Sequence, residues 1–113
     1  MITIDALKEF GADTENGLRL CMGNEALYLR LVGTVPGEGC YAELLKSIEV
    51  KDLDTAFNSA HALKGVLGNL SLTPLYETTS VILEYLRSRT DMDYSELIGE
   101  LKRKMDALSE LCR

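Results

Sequence analysis

The side chain with the clearest chemical potential is His61, the only histidine in the chain. A neutral imidazole is a nucleophile, and it can also take up and release protons near neutral pH. Lys64, Gly65 and Gly68 follow His61 at three, four and seven residues, the spacings that bring positions onto one face of a helix. The pattern therefore places an imidazole, a cation and two positions without side chains on one surface.

Lys64 is placed to affect the chemistry of the imidazole. A helical side chain leans toward the N-terminus of its helix, so the ammonium of Lys64 can reach back over His61. A cation in that position favours the neutral, nucleophilic ring and would offset the negative charge of a phosphoryl group on a ring nitrogen. The alternative interpretation is a solvated lysine on the flank of a helix, which is common.

The two glycines are costly in a helix. Each destabilises the middle of a helix by about 1 kcal/mol relative to alanine. A larger side chain at position 65 would cover the ring of His61, and one at position 68 would cover the surface beyond it. We predict that Gly65 and Gly68 give a second molecule access to the imidazole.

The helix that carries these residues is defined by an apolar seam. Its members follow the alternating spacing of three and four residues that is typical of a bundle core, and they are Leu53, Ala56, Ala60, Leu63, Leu67 and Leu70. At about 100° per residue, His61 lies roughly 100–120° from the centre of this seam. The imidazole is therefore predicted on the flank of the helix, facing solvent or a groove. A flank histidine without a function is the alternative.

The rest of the chain is also predicted to be helical, because apolar residues recur every three or four positions and no segment alternates like a strand. The predicted helices cover residues 4–10, 13–21, 24–33, 38–50, 52–70 and 73–89, and the last runs from 93 to the end. Thr73 is predicted as an N-cap with Pro74 in the first helical position, and Asp93 with Glu96 as a capping box. Short connections make neighbouring helices antiparallel, so the sequence predicts an all-α, up-down helical bundle.

Length and charge exclude several classes of function. With 113 residues, the chain is expected to form one domain over residues 1–113. Acidic residues outnumber basic ones by 18 to 12, without a cluster of lysine and arginine, so neither nucleic acid nor an anionic membrane is expected as a partner. No apolar run is long enough to span a membrane, and the first residues do not resemble a signal peptide. The methionine just before the first predicted helix favours a free-standing protein.

Other kinds of catalytic site fit the sequence poorly. Cys21, Cys40 and Cys112 lie far apart, and with a single histidine they do not form a zinc-binding pattern, so we expect reduced thiols in a cytoplasmic protein. A nucleophilic Cys–His pair is disfavoured because no cysteine lies close to His61 along the chain. A carboxylate-bridged metal enzyme would need Glu-x-x-His pairs, and the residue three before His61 is Asn58.

Residues 60–70, which read AHALKGVLGNL, resemble the signature A-H-x-L-K-G-x-x-x-N-[LI]-G of histidine-containing phosphotransfer (Hpt) domains. Similarity continues over residues 72–75 and 83–84, and extends upstream to residues 24–29. The resemblance implies an antiparallel up-down four-helix bundle, here with additional short N-terminal helices. It also implies a phosphorelay carrier in two-component signalling, which accepts a phosphoryl group from an aspartate of one receiver domain and passes it to another.

The resemblance assigns roles to individual residues. It implies that His61 is the phosphoacceptor, that Lys64 stabilises the phosphoryl charge and that Gly65 gives the receiver access. Asn69 is expected to help complete the helix and the following turn. Ser71 stands where the family usually has glycine, which is a departure in the turn and not at the histidine.

The chain is expected to contribute little of the catalytic apparatus itself. No carboxylates cluster around His61 in the sequence to hold Mg²⁺, and no glycine-rich motif for binding ATP is present. We therefore expect no cofactor of its own, Mg²⁺ on the partner receiver domain, and no autokinase activity. The motif requires only a monomer. A helical module that docks onto receivers without being phosphorylated is the alternative function.

Two further sets of residues are predicted around the imidazole. Ser80 or Glu84, on the antiparallel helix that follows, lies level with His61 and is proposed to hold the second ring nitrogen. The alternative for each, an ordinary solvated side chain, is the commoner situation. Asp54, Phe57 and Asn58 lie on the same flank one and two turns before His61 and are predicted to help dock the receiver, although Phe57 also fits a core position.

Overall fold

The computed structural model describes residues 2–113, which form α-helices and no strand. A 3-10 turn, Val35–Gly37, separates the third helix from the fourth. The α-helices are α1 (Ile4–Phe10), α2 (Thr14–Leu20), α3 (Glu25–Thr34), α4 (Gly39–Glu49), α5 (Leu53–Asn69), α6 (Thr73–Arg87) and α7 (Ser95–Leu111). The prediction of an all-α fold is confirmed.

The last four helices form the bundle. Helix α5 makes its most extensive contacts with α4 on one side and α6 on the other, and α7 packs on α6. Because the connections are short, neighbours in this series run antiparallel. Every member of the predicted seam of α5 is buried except Leu53, which is half-buried. The bundle confirms the predicted fold class, and its core fixes which flank of α5 faces outward.

The starts of three helices and the end of one are each fixed by a single residue. The side chains of Asp13, Asn24 and Asp52 each accept a hydrogen bond from the backbone N–H three residues later, at 3.0–3.2 Å. Each satisfies one of the donors left free in the first turn of its helix. Gly11 ends α1 with a φ of 107°, the left-handed conformation in which glycine is favoured.

The predicted capping box before α7 is wrong. The carboxylate of Asp93 accepts hydrogen bonds from the backbone N–H of Ser95 at 2.9 Å and from its hydroxyl at 2.6 Å. Tyr94 is consequently the residue that precedes the helix, and no side chain caps it. Asp93 therefore forms a local turn with the residue two positions later. A capping box would require Asp93 to bond to Glu96, three positions later.

The start of α6 also differs from the prediction. Thr73 is the first residue of the helix and not its N-cap, a position that Leu72 occupies without a side-chain hydrogen bond. The Thr73 hydroxyl turns back to the carbonyl of Ser71, at 3.5 Å. Pro74 therefore lies one position further into the first turn than predicted. Backbone N–H groups of the first turn have no acceptor within the helix, so the N–H that proline lacks costs no helical hydrogen bond.

The N-terminal helices hold the turn between α5 and α6. Ser71 adopts a φ of 55°, the left-handed conformation in which glycine is favoured. Its hydroxyl accepts from the side-chain amide of Asn16 at 2.8 Å, and its carbonyl accepts from the N–H of Asp13 at 2.9 Å. The buried Tyr28 of α3 donates its hydroxyl to the carbonyl of Leu70 at 2.8 Å. These bonds stabilise a turn that Ser71 alone would disfavour.

The cysteines and the helix lengths bear on the predictions of free thiols and of a chain without a membrane span. Cys21 is buried, Cys40 and Cys112 are half-buried, and none of the three forms a disulfide. Burial raises the pKa of the Cys40 and Cys112 thiols above their ordinary value. Within residues 2–113, no helix combines the length and the apolarity needed to cross a lipid bilayer.

Candidate functional site

His61 lies near the middle of α5, on a flank that the bundle leaves open. It is exposed although its neighbour Ala60 is fully buried, because successive helical positions differ by about 100° and Ala60 belongs to the apolar seam. Among residues 2–113 no side chain or backbone group forms a hydrogen bond or ion pair with the imidazole. The closest aromatic neighbour is Phe57, one turn earlier, with 6.2 Å between ring centroids and 39° between ring planes. The ring is therefore accessible, as the helical spacing predicted.

The two glycines after His61 differ in their surroundings. A Cβ placed on Gly65 would meet no atom within 4 Å, so the surface beside the imidazole is open. A Cβ on Gly68 would lie only 3.2 Å from Cε2 of Tyr76. Gly68 thus admits an aromatic ring from α6 into close contact with α5, a reason different from the access predicted for it.

Lys64 lies at the seam between α5 and α6. Its ammonium is 5.5 Å from the ring centroid of Tyr76, within range of a cation–π interaction. The lysine is half-buried, and its ammonium lies over the ring of Tyr76 from α6. This charge can move from the ring to a new anion by rotation of a flexible side chain.

The two residues predicted to orient the imidazole are engaged elsewhere. The hydroxyl of Ser80 donates to the carbonyl of Tyr76, one turn back in α6, at 2.8 Å. Serine side chains within helices commonly bond in this way to the preceding turn. Glu84 pairs with Arg87, at 3.4 Å between carboxylate and guanidinium nitrogen. The structure brings neither residue into a hydrogen bond with His61.

Phe57 proves to be a contact point for two arginines that sequence reasoning missed. It is half-buried against the core, and its ring centroid lies 4.6 Å from Cζ of Arg89 and 5.6 Å from Cζ of Arg87. The two arginines stand 26 and 28 residues after His61, so no motif links them to it. Only the antiparallel return of α6 and the loop after it bring their charges to the flank of α5.

The other predicted docking residues differ in their surroundings. Asp54 accepts a hydrogen bond from Nε of Arg89 at 2.6 Å, which pairs its charge, whereas Asn58 is exposed. Arg89 also donates to the carbonyl of Leu86 at 2.9 Å and has a φ of 50°, so it closes the C-terminus of α6. Asn69 is the exposed last residue of α5, as expected for a residue at the helix end.

The described part of the chain offers no cluster of three or more His, Cys, Asp or Glu side chains that could hold a metal ion. What the flank of α5 does offer is a single uncrowded nucleophile, with cationic side chains held by the neighbouring rings of Phe57 and Tyr76. Such an arrangement suits the transient attachment of an anionic group brought by another molecule.

Comparison with known proteins agrees with this chemistry. The family model described as Hpt domain matches residues 37–111, a segment that contains α4 to α7 and His61. The chain belongs to the Hpt domain family. Its members carry out histidine phosphotransfer in two-component phosphorelays. No match was found among curated proteins or among solved structures. In this Hpt domain, α1 to α3 precede the segment that the family model covers.

Proposed function

We propose that His61 accepts a phosphoryl group from the phosphorylated aspartate of a receiver domain and passes it to the aspartate of another receiver. The observation that carries the proposal is the exposed imidazole, free of hydrogen bonds within residues 2–113, beside the open surface of Gly65. A ring in this setting can be reached by a second protein without rearrangement of the bundle.

The proposed transfer is a direct displacement at phosphorus. The unprotonated ring nitrogen attacks, an N–P bond forms, and the bond from phosphorus to the receiver's carboxylate oxygen breaks. The carboxylate leaves with the electron pair, while the other ring nitrogen keeps its proton. The return step reverses these events on a second receiver. Catalysis of such a step consists mainly of positioning and neutralisation of charge.

The Hpt domain contributes geometry and charge to this reaction. Gly65 lets the receiver's phosphoryl group approach in line, and the ammonium of Lys64 turns from Tyr76 to the phosphoryl oxygens once they are present. We assign Mg²⁺ to the receiver, where it would neutralise the phosphoryl charge, because no carboxylate cluster accompanies His61 within residues 2–113. The reaction requires one copy of the chain, so we infer a monomer, and we place it in the cytoplasm, where three free thiols stay reduced.

The decisive experiment is phosphotransfer from a receiver domain loaded with radioactive acetyl phosphate. We expect the wild-type chain to acquire a label that is labile in acid and stable in base, as a phosphohistidine is. His61→Gln should acquire none, since glutamine keeps similar size and hydrogen bonding but has no nucleophilic ring nitrogen. His61 is the only histidine, so label of this kind on the variant would overturn the assignment.

The same samples test the alternative of a docking module without phosphotransfer. Receiver binding is measured by calorimetry for the wild type and for His61→Gln. Equal binding by both proteins, with no acid-labile label on either, would establish docking alone and remove the carrier function.

A further inference from the structure

Two arginines and one phenylalanine form a compact surface beside the phosphoacceptor. The ring of Phe57 contacts the guanidinium groups of Arg87 and Arg89, with 5.6 and 4.6 Å between its centroid and the respective Cζ atoms. The same ring lies 6.2 Å from that of His61. We call Phe57, Arg87 and Arg89 the arginine platform. It connects α5 with the end of α6 and places two charges against the ring that neighbours His61.

The two arginines are held with different strength. Arg89 bonds to the carboxylate of Asp54 at 2.6 Å and to the carbonyl of Leu86 at 2.9 Å, which fixes its position. Arg87 has a single ionic partner within residues 2–113, Glu84, at 3.4 Å, and the two side chains are 52% and 65% exposed. An exposed pair of this kind is weak, so the charge of Arg87 remains available to another anion.

The chemistry of the partner explains why such a surface is needed. The Hpt domain has a net charge of −6 and repels an acidic protein at long range. The proposed partner carries anionic groups at its reacting centre, namely the aspartyl phosphate and the carboxylates that would bind Mg²⁺. Cations grouped at the point of contact replace this repulsion with a local attraction between the two proteins.

We propose that the arginine platform is the surface that binds receivers through the acidic groups around their phosphorylation site. On docking, Arg87 exchanges Glu84 for a carboxylate of the receiver, whereas Arg89 acts as a positioning residue that keeps Phe57 and Arg87 beside His61. The inference rests on the proposed function, because it names what that function recognises.

The test compares three variants in transfer from receivers loaded with acetyl phosphate. Arg87→Gln removes the available charge, Arg87→Lys retains it, and Arg103→Gln removes an equal charge from the exposed surface of α7, which is not part of the platform. We expect Arg87→Gln to raise the KM for the receiver about threefold to fivefold at about 50 mM salt, with kcat changed by less than about twofold. The KM should return toward the wild-type value in Arg87→Lys and stay unchanged in Arg103→Gln.

Salt distinguishes docking from a structural effect. Because the contact is electrostatic, the ratio of KM values between Arg87→Gln and wild type should approach one at about 300 mM salt. A ratio that does not change with salt, or equal KM values for Arg87→Gln and Arg103→Gln, would overturn the platform.

Binding measured in parallel separates this inference from the proposed function. Dissociation constants for the unloaded receivers are determined by calorimetry on the same variants, and the same ranking is expected. If the wild-type protein never acquires label, the proposed function is wrong. The ranking of dissociation constants among the variants would still support or contradict the role of the arginine platform in binding.

Discussion

The position after Lys64 lacks a side chain, and the proposed function uses that open space for the approach of another protein to His61. Gly65 and Gly68 both follow the histidine on the same face of α5. Gly65 faces open space, whereas the ring of Tyr76 occupies the space beside Gly68. Helix packing therefore accounts for the glycine at position 68, whereas intermolecular access is the proposed reason for the glycine at position 65. The chain offers Gly33 as a third case, since it is exposed in α3 and a Cβ added to it would meet no atom within 4 Å.

These glycines allow a matched test of access. Gly65→Gln and Gly33→Gln should each raise the free energy of unfolding, by about 0.5 kcal/mol, because glutamine is the better helix former. Only Gly65→Gln should slow phosphotransfer, by about tenfold or more, since displacement of the reacting groups by an ångström is costly. Thermal unfolding and single-turnover transfer measure the two effects. Equal transfer rates for both variants would show that Gly65 has no role in access.

At the scale of elements, what could be predicted depended on how local the determining contacts are. Asp13, Asn24 and Asp52 cap helices through bonds within four residues, so their helices began where the sequence indicated. Predictions at Thr73 and Asp93 were wrong because each side chain has a competing local partner. In those cases the choice between two short-range bonds depends on the path of the surrounding turn.

The candidate site follows the same rule. The exposure of His61 follows from the angular spacing of α5 alone, which residue order determines. The contacts of Arg87 and Arg89 with Phe57 depend on the crossing of α5 and α6, and on the left-handed conformation of Arg89 in the loop that follows. No pattern in the sequence encodes that geometry, so both arginines escaped prediction.

The contact between α3 and the turn after α5 predicts a loss of stability at high pH. Burial, together with the nearby Cys21 and Asp13, raises the pKa of Tyr28 to about 12 from its ordinary value near 10. The folded state therefore holds this proton more tightly than the unfolded state. The resulting stabilisation is complete below about pH 10 and is lost between about pH 10 and 12, at up to about 1.4 kcal/mol per pH unit.

Tyr28→Phe removes the titrating group and tests this expectation. It should be less stable at neutral pH by about 1 kcal/mol, because the carbonyl of Leu70 loses its donor, but it should lack the contribution of Tyr28 to the fall above pH 10. Tyr85→Phe, at an exposed position of α6, serves as the control and should follow the wild type. Urea unfolding across this pH range gives the free energies. Parallel curves for Tyr28→Phe and wild type would contradict the prediction.

At the scale of the whole molecule, the core extends beyond the four-helix bundle. Leu7 of α1, Tyr28 and Val32 of α3, and Val35 of the 3-10 turn are fully buried in one cluster with the core of α4 to α7. The N-terminal helices therefore share apolar surface with the bundle, as well as the hydrogen bonds at Ser71. Separating them would expose buried side chains on both sides of the contact.

We expect the chain to unfold in a single cooperative transition. Helix content, followed by circular dichroism, and the environment of the tyrosines, followed by near-ultraviolet dichroism, should change at the same urea concentration. The contrary result would be two transitions. If the first changed the tyrosine signal and removed only the helix content of α1 to α3, the N-terminal helices would form a separate unit.

Under the proposed function, the position of Tyr76 would make this ring a reporter of phosphorylation at His61. The chain has no tryptophan, and the ring of Tyr76 is covered by the same ammonium that the proposed transfer draws toward phosphorus. Each loading of the imidazole would uncover this ring and shift its proton resonances. Occupancy of the carrier could thus be followed in real time by nuclear magnetic resonance, without isotopic phosphate or an attached dye.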